Sequence, residues 1–247
     1  MTPGKLPVLA VVIATRGGRS LAPALDSVAW AAERAVLDVT GELGGELPPG
    51  VQLGRDAARI DALGSAPWLL LIAEHEVAPA SLRDHVARVV EQGGAGVWRI
   101  GVEVETLGAH LVPRYAPVRL APREDSRIVL ERGLALGLAA SAGREQRLGA
   151  SLRAAHGASV EEAVDALGRE SRALAVLLAQ DARATGVAGI GMSSMAAAAR
   201  LLLARAPARA GLARWVAVVF AGYRVVLAHT RAWEWRQAQP VPLREVA

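Results

Sequence analysis

Three consecutive residues with ionisable side chains, Glu74, His75 and Glu76, follow a short apolar segment that runs from Trp68 to Ala73. Carboxylates and imidazoles can bind metal ions, and carboxylates can also act as general acids and bases. In α/β proteins, ligands gather at the carboxyl ends of the strands. The cluster therefore predicts either a divalent-metal site or, alternatively, a solvated strand end that precedes the next helix.

Strand geometry limits which of these side chains could act together. If the strand continues through the cluster, neighbouring residues point to opposite faces of the sheet. We therefore expect either Glu74 and Glu76 together, or His75 alone, to face the site. The other histidines show no mutual spacing of a ligand or triad type, and we expect them to be structural or exposed: His85, His110, His156 and His229.

Apolar segments alternate with helical segments through the first half of the chain. Continuous runs such as Pro7 to Thr15 are typical of parallel strands that are buried on both faces. Helical spacing predicts helices between the strands, and this order indicates an α/β sheet with right-handed connections. The predicted strands are 7–15, 35–38, 68–73 and 96–106, and the predicted helices are 20–30, 55–63 and 81–91.

The pattern loosens after residue 107, where 114–132 holds only short strand-like pieces. A capping box at Ser159 opens a long helix, and two more helices follow. A glycine-containing segment, 186–194, predicts a break between helices rather than a dinucleotide fingerprint, because it does not follow a strand. We therefore predict an α/β domain over 1–135 and a helical extension over 136–247.

The last predicted helix, 210–235, is amphipathic. At about 100° per residue its aromatic and aliphatic side chains share one side and its basic side chains share the other. Such a helix predicts an element that lies on an anionic membrane surface, or alternatively a helix that packs on the core with a solvated basic face. The apolar side holds Trp215, Val219, Tyr223, Val226 and Trp233, and the basic side holds Arg214, Arg224, His229, Arg231 and Arg236.

Composition excludes several classes of protein. The 247 residues contain no cysteine, which excludes disulfides, thiolate nucleophiles and zinc fingers. The first residues show no cleavable signal pattern, so we expect a cytoplasmic protein, peripheral at the inner membrane. The net charge of +4 is spread along the chain without interleaved aromatic side chains, so we expect no nucleic-acid partner.

The order of motifs resembles the family 2 glycosyltransferases, in particular the bacterial branch that adds sugars to the lipopolysaccharide core. The resemblance covers nearly the whole chain and rests on several short motifs. They are Val11 to Arg16, Leu21 to Ala31, Ala35 to Asp38, Trp98 to Ile100, Val118 to Leu120, Leu130 to Arg132 and Tyr223 to Trp235. The resemblance implies a mixed sheet of the nucleotide-sugar-transferase (GT-A-like) type.

The resemblance also implies roles for individual residues. Asp38 would contact the nucleotide, although a turn residue at a strand end is the alternative. Thr15 and Arg16 would lie beside the donor diphosphate, and Arg19, which also follows the first strand, could meet its charge together with Arg16. Glu131 would be the general base that activates the acceptor hydroxyl, unless it forms an ordinary ion pair with a nearby arginine. The partners would be a nucleotide-sugar donor and an envelope lipid or glycan acceptor.

The chain departs from the family where the donor's metal, Mg²⁺ or Mn²⁺, would bind. The family has two aspartates after the third strand, and Glu74, His75 and Glu76 stand in that region instead. A hard cation on a diphosphate needs carboxylate oxygens. We therefore expect weak or absent transfer and no tight metal site. A non-catalytic relative that binds a glycan, a nucleotide or a partner protein is the alternative.

Overall fold

The computed structural model describes residues 4–93, 96–124, 126–140, 143–155, 157, 159–180, 187–205 and 210–238, without the side chains of Asp61, Arg132 and Ala238. His156 lies outside these residues. The strands are β1 Leu6–Ile13, β2 Ala31–Leu37, β3 Val51–Gly54, β4 Trp68–Ala73, β5 Glu76–Val77, β6 Val97–Thr106, β7 Ala109–Leu111, β8 Val118–Pro122, β9 Arg127–Glu131, β10 Ala135–Ala139 and β11 Glu145–Ala155. The helices are α1 Leu21–Ser27, α2 Ala80–Gln92, α3 Val160–Gln180, α4 Val187–Leu202 and α5 Gly211–Ala238.

A mixed sheet forms the centre of the molecule. Its strand order is β3-β2-β1-β4-β8-β6-β11-β5, and β7 pairs with β6 outside that path. The first four strands in this order are parallel, whereas β8 runs antiparallel to both of its neighbours. Strands β9 and β10 form a separate antiparallel pair. The predicted mixed α/β sheet with flanking helices and a C-terminal helical extension is confirmed.

Strand β1 shows how the sheet is buried between two apolar layers. Its residues from Val8 to Ile13 are fully buried. Val8, Ala10 and Val12 pack with residues of α1 and α2, whereas the alternate residues pack with residues of α3 and α5. Alternation along a strand explains this division, and it accounts for the continuous apolar run in the sequence. On the α2 side, Trp68 and Trp98 meet edge to face with their ring centroids 5.2 Å apart.

The structure corrects two predicted boundaries. Strand β11 pairs in parallel with β6 inside the main sheet, although it lies in the segment that we predicted to be a helical extension. The sheet therefore continues to Ala155 rather than ending near 135. Helix α4 begins at Val187, inside the predicted break at 186–194, because its packing against α5 outweighs the low helix propensity of glycine.

Candidate functional site

The candidate site lies at the carboxyl ends of β1 and β4. These strands are adjacent and parallel, with Ile13 beside Ala73 at their ends. The chain proceeds from β1 to β2 on one side and reaches β4 on the other, so the strand order reverses between β1 and β4. Ligands of open α/β sheets bind at such a switch point. Thr15 and Arg16 follow β1 there, and Glu74 to Glu76 follow β4.

Glu74 supports the loop between β1 and α1. Its side chain is fully buried, and its carboxylate accepts hydrogen bonds from the backbone N–H groups of Arg16 at 2.8 Å and Ser20 at 2.9 Å. Both oxygens are therefore occupied by the protein's own backbone. These two hydrogen bonds from backbone amides to one buried carboxylate fix the loop.

Glu76 forms a buried ion pair with Arg119 of β8. The Glu76 Oε1 atom lies 2.8 Å from Arg119 Nη2, and Oε2 accepts a hydrogen bond from the Ala73 N–H at 2.7 Å. Both side chains are only 4% exposed. The pair connects the end of β4 to the neighbouring antiparallel strand, so this carboxylate is also engaged.

A second buried ion-pair network connects the sheet to the helices. Glu170 of α3 accepts hydrogen bonds from Arg16 at 2.5 Å and 2.8 Å and from Arg224 of α5 at 3.1 Å. Arg16 also donates to the Ala155 carbonyl at 3.0 Å. His75 Nδ1 lies 3.4 Å from the Thr15 hydroxyl and 3.8 Å from Glu170. These contacts bring predicted residues together with residues of the helical extension.

A cavity lies beside these networks, between the strand ends and helices α3, α4 and α5. It offers about 120 Å³ to water-sized molecules. Apolar side chains from α3 and α5 form much of its wall, including Leu167, Leu174 and Phe220. Its polar lining comes from Thr15, His75, Glu76, Thr106, Arg119, Glu170, Arg200 and Arg224.

Arg200 of α4 differs from the other arginines of the cavity. It forms no salt bridge with any side chain in the described part of the chain, and its Nε atom is buried without a hydrogen-bond partner. Its guanidinium lies over the Tyr115 ring, 5.8 Å from the centroid. Burial, together with the nearby charges of Arg224 and Arg119, lowers the pKa of Arg200 to about 10. Arg200 therefore brings to the cavity a positive charge that has no salt-bridge partner among the described residues.

Asp38, the predicted nucleotide contact, holds the loop that follows β2. It is 2% exposed. Its carboxylate accepts hydrogen bonds from the Thr40 hydroxyl at 3.0 Å, the Gly41 N–H at 2.9 Å and the Leu43 N–H at 3.0 Å. This is the arrangement of a turn residue, which was the alternative interpretation. To contact a nucleotide, the Asp38 carboxylate would have to give up some of these hydrogen bonds.

Glu131, the predicted base, lies in a separate polar cluster. Its carboxylate accepts hydrogen bonds from the Tyr115 hydroxyl, from Arg99 at 3.2 Å and from the Val118 N–H at 2.8 Å. Burial and the hydrogen bond to Glu131 raise the pKa of Tyr115. Glu131 does not line the cavity, and the Tyr115 ring connects its cluster to Arg200.

The predicted metal ligands do not converge on a common point. Glu74 and Glu76 direct their oxygens at backbone amides and Arg119, and no group of three or more histidine, aspartate or glutamate side chains in the described residues is arranged to hold a metal. The nearby guanidinium groups also oppose a cation. The arrangement of these residues therefore does not fit Mg²⁺ or Mn²⁺.

The structure corrects the predicted facing of the cluster. His75 and Glu76 line the cavity together, whereas Glu74 points to the loop after β1. Strand alternation does not apply because β4 ends at Ala73 and the next two residues form a turn.

Sequence reasoning missed the cavity residues that come from distant elements. Arg119 was noticed only as part of a motif, and Glu170 and Arg200 were not singled out. The sequence feature that could have revealed these cavity residues is a charged residue within an otherwise apolar pattern. Glu170 lies on the buried stripe of α3 with Ala166, Leu167 and Leu174, and Arg119 lies between two buried residues of β8.

Helix α5 exposes its aromatic side and packs its basic side against α3. Trp215, Tyr223 and Trp233 are each more than half exposed. Arg231 donates to the Gly168 carbonyl at 2.5 Å, and Arg236 donates to the Leu178 carbonyl at 2.7 Å. The helix therefore packs on α3 through part of its basic side, and Arg236 on that side remains exposed. Among the described residues, Gly211–Gln237 is a helix long and apolar enough, by length and composition, to cross a membrane.

Comparison with known proteins gives weak structural matches only. No family model and no curated protein matches the chain. The crystal structure of S. aureus TarS 1-349 matches with 13% identity and a TM-score of 0.38, over 94% of this chain and 92% of that chain. TarS 1-349 in complex with UDP-GlcNAc matches with 12% identity and a TM-score of 0.39, over the same shares of the two chains.

Proposed function

We propose that this chain is a glycosyltransferase family 2-like protein that has kept the donor-binding end of its sheet and has weak or no transfer activity. It would act as a membrane-associated binding protein, and its ancestral reaction would concern a lipid or glycan of the lipopolysaccharide-core type. The observation that carries the proposal is the engagement of Glu74, Glu76 and Glu131 by amides, arginines and a tyrosine. Carboxylates held in this way are not available to hold a metal or remove a proton.

The strand arrangement supports a nucleotide-type ligand. Parallel strands in the order β3-β2-β1-β4 place the loops after β1 and β4 at the switch point, where α/β sheets bind nucleotides. The motif resemblance extends over the same strands. We propose a nucleotide-sugar, or the nucleotide diphosphate derived from it, as the ligand of this edge. Thr15 and Arg16 would lie nearest its diphosphate, and Asp38 nearest its nucleoside.

Helix α5 supports a position on the inner surface of a membrane. Tryptophan and tyrosine side chains suit the boundary between headgroups and acyl chains. The opposite side of the helix is held to α3 by Arg224, Arg231 and Arg236. We therefore propose that α5 lies in the interface of an anionic membrane, with its aromatic side inserted, rather than crossing it.

Binding and turnover assays test the first part of the proposal. The full chain is titrated calorimetrically with nucleotide diphosphates and nucleotide-sugars, with and without Mn²⁺, and hydrolysis is followed in parallel. We expect binding that does not need Mn²⁺ and no turnover above background. Robust Mn²⁺-dependent hydrolysis or transfer that is lost in Glu74→Ala would overturn the proposal and restore a working enzyme.

Liposome flotation tests the membrane position. We expect the full chain to float with vesicles that contain anionic phospholipid. The triple variant Trp215→Ser, Tyr223→Ser and Trp233→Ser should stay at the bottom of the gradient. Leu53→Ser, which changes an exposed apolar residue on β3, is the control and should float like the unaltered chain. Equal flotation of the triple variant would refute this part.

A further inference from the structure

We propose that the cavity beneath α3, α4 and α5 binds a phosphate-type oxyanion, with Arg119, Arg200 and Arg224 as its ligands. The three guanidinium groups come from β8, α4 and α5, and all three line the same cavity. Guanidinium groups bind phosphate oxygens through paired, charge-assisted hydrogen bonds. The helical extension would therefore supply much of the binding site.

The charges around the cavity are unbalanced in favour of an anion. Three arginines and two glutamates line it, and one of those glutamates, Glu170, is shared with a fourth arginine, Arg16. Glu76 neutralises Arg119. Arg200 receives no carboxylate from the described residues. A charge that is partly removed from water is costly without a counter-charge, so a bound anion would relieve this imbalance.

Unused donors point to the same conclusion. The Nε atoms of Arg119, Arg200 and Arg224 are each buried and have no hydrogen-bond partner. Arg119 is only 3% exposed. The Nε atoms of Arg169 and Arg214 are also buried and unpaired, but these two residues do not line the cavity. Buried N–H groups are usually paired in folded proteins, so the three at the cavity are donors available to an acceptor bound there.

The size of the cavity limits the anion. A space of about 120 Å³ accommodates several water molecules, or a phosphate or diphosphate group. It is smaller than the roughly 300–1,000 Å³ typical of sites that enclose a whole small-molecule ligand. A nucleotide could place only its phosphates here unless the helices move apart.

The inference deepens the proposed function, and it rests on that function only for the source of the phosphate. A diphosphate could come from a nucleotide at the strand ends or from free pyrophosphate. In either case arginines would take the role of the missing metal in meeting the negative charge. The chemistry at the cavity is the same for both sources, so the test includes each of them.

Calorimetric titration of the full chain in phosphate-free buffer tests the site, with pyrophosphate and UDP as separate probes. Arg200→Gln is the decisive variant because Arg200 has no salt bridge among the described residues whose loss would unfold the protein. We expect Arg200→Gln to weaken pyrophosphate binding about 10- to 100-fold, the loss of one charge-assisted contact. Arg83→Gln, an exposed change on α2, makes the same change in net charge and should bind like the unaltered chain.

Thermal unfolding without added anion provides a second readout. Arg200→Gln should be at least as stable as the unaltered chain, because it removes a half-buried charge that has no salt bridge among the described residues. At one fixed concentration, pyrophosphate should stabilise the unaltered chain and Arg83→Gln more than Arg200→Gln. If Arg200→Gln does not fold, Arg224→Gln takes its place in the titration, because Glu170 then still has Arg16.

The outcomes separate the two proposals. Pyrophosphate binding that depends on Arg200, without UDP binding, supports the oxyanion site and removes the nucleotide from the proposed function. UDP binding that is unchanged in Arg200→Gln, with no binding of pyrophosphate, overturns the oxyanion site and leaves the proposed function standing. Equal weakening by Arg200→Gln and Arg83→Gln would show only general attraction to a basic protein and would also overturn the site.

Discussion

Glu170 of α3 accepts two hydrogen bonds from Arg16, which follows β1, at 2.8 Å from Nε and 2.5 Å from Nη2. The second oxygen of Glu170 accepts a hydrogen bond from Arg224 of α5. One buried carboxylate therefore joins the end of the first strand to two helices of the C-terminal extension. The extension is held to the sheet by a charged contact as well as by apolar packing.

Replacing Glu170 by Gln should destabilise the protein by about 3–5 kcal/mol, because the buried guanidinium of Arg16 and the half-buried guanidinium of Arg224 lose their shared counter-charge. Chemical denaturation of the full chain measures this change. Glu42→Gln breaks the exposed Glu42–Arg172 pair and should cost about 0–1 kcal/mol. Equal losses in the two variants would contradict the role assigned to Glu170.

Replacing Glu74 by Ala should destabilise the protein by about 1–3 kcal/mol, because the amides of Arg16 and Ser20 lose their acceptor. Any weak affinity for Mn²⁺ should stay unchanged, since both Glu74 oxygens serve the loop. Denaturation and a Mn²⁺ titration measure the two quantities, with the exposed Glu91→Ala as the control. A large loss of Mn²⁺ affinity in Glu74→Ala would instead make this residue a metal ligand.

Replacing Gly133 by Ala should destabilise the protein by about 2–4 kcal/mol, because it disturbs the packing of α4. A Cβ atom there would lie 2.8 Å from the backbone of Ala197, and the backbone φ of +70° disfavours any other residue. Gly108 has nearly the same φ, +71°, but open space around it. Gly108→Ala should therefore cost only the conformational part, about 1 kcal/mol. Similar melting temperatures for the two variants would argue against the close contact with α4.

Stability should fall as the pH decreases below about 6.5, the ordinary pKa of histidine. Burial and the nearby charge of Arg236 lower the pKa of His229, so the unfolded chain binds a proton in a range where the folded chain resists it. The loss should continue until the pH reaches the lowered pKa. Denaturation at several pH values should show a weaker dependence in His229→Gln than in His110→Gln, whose imidazole is exposed.

Local patterns were sufficient to predict the elements that bury apolar runs. Strand β4 spans the predicted 68–73, and α2 and β6 lie within one residue of their predicted bounds. The insertion of β8 between β4 and β6 was not predictable, because strand pairing depends on contacts distant in sequence. The same holds for the site, since Arg16 and Glu170 are separated by 154 positions. The sequence pattern located Glu74 to Glu76 at the correct strand end. It did not reveal that the carboxylates of Glu74 and Glu76 already accept hydrogen bonds from backbone amides and Arg119.

The six tryptophans are divided between the sheet region and helix α5, and the two groups differ in their exposure to solvent. Their fluorescence can therefore be distinguished. Trp68 and Trp98 form the buried edge-to-face pair of the sheet, and Trp30 lies after α1. Trp215, Trp233 and Trp235 are all on α5 and all exposed. Soluble quenchers such as acrylamide should therefore reach the fluorescence of α5 before that of the sheet. The quenched fraction of the fluorescence then reports the exposure of α5 separately from unfolding of the sheet.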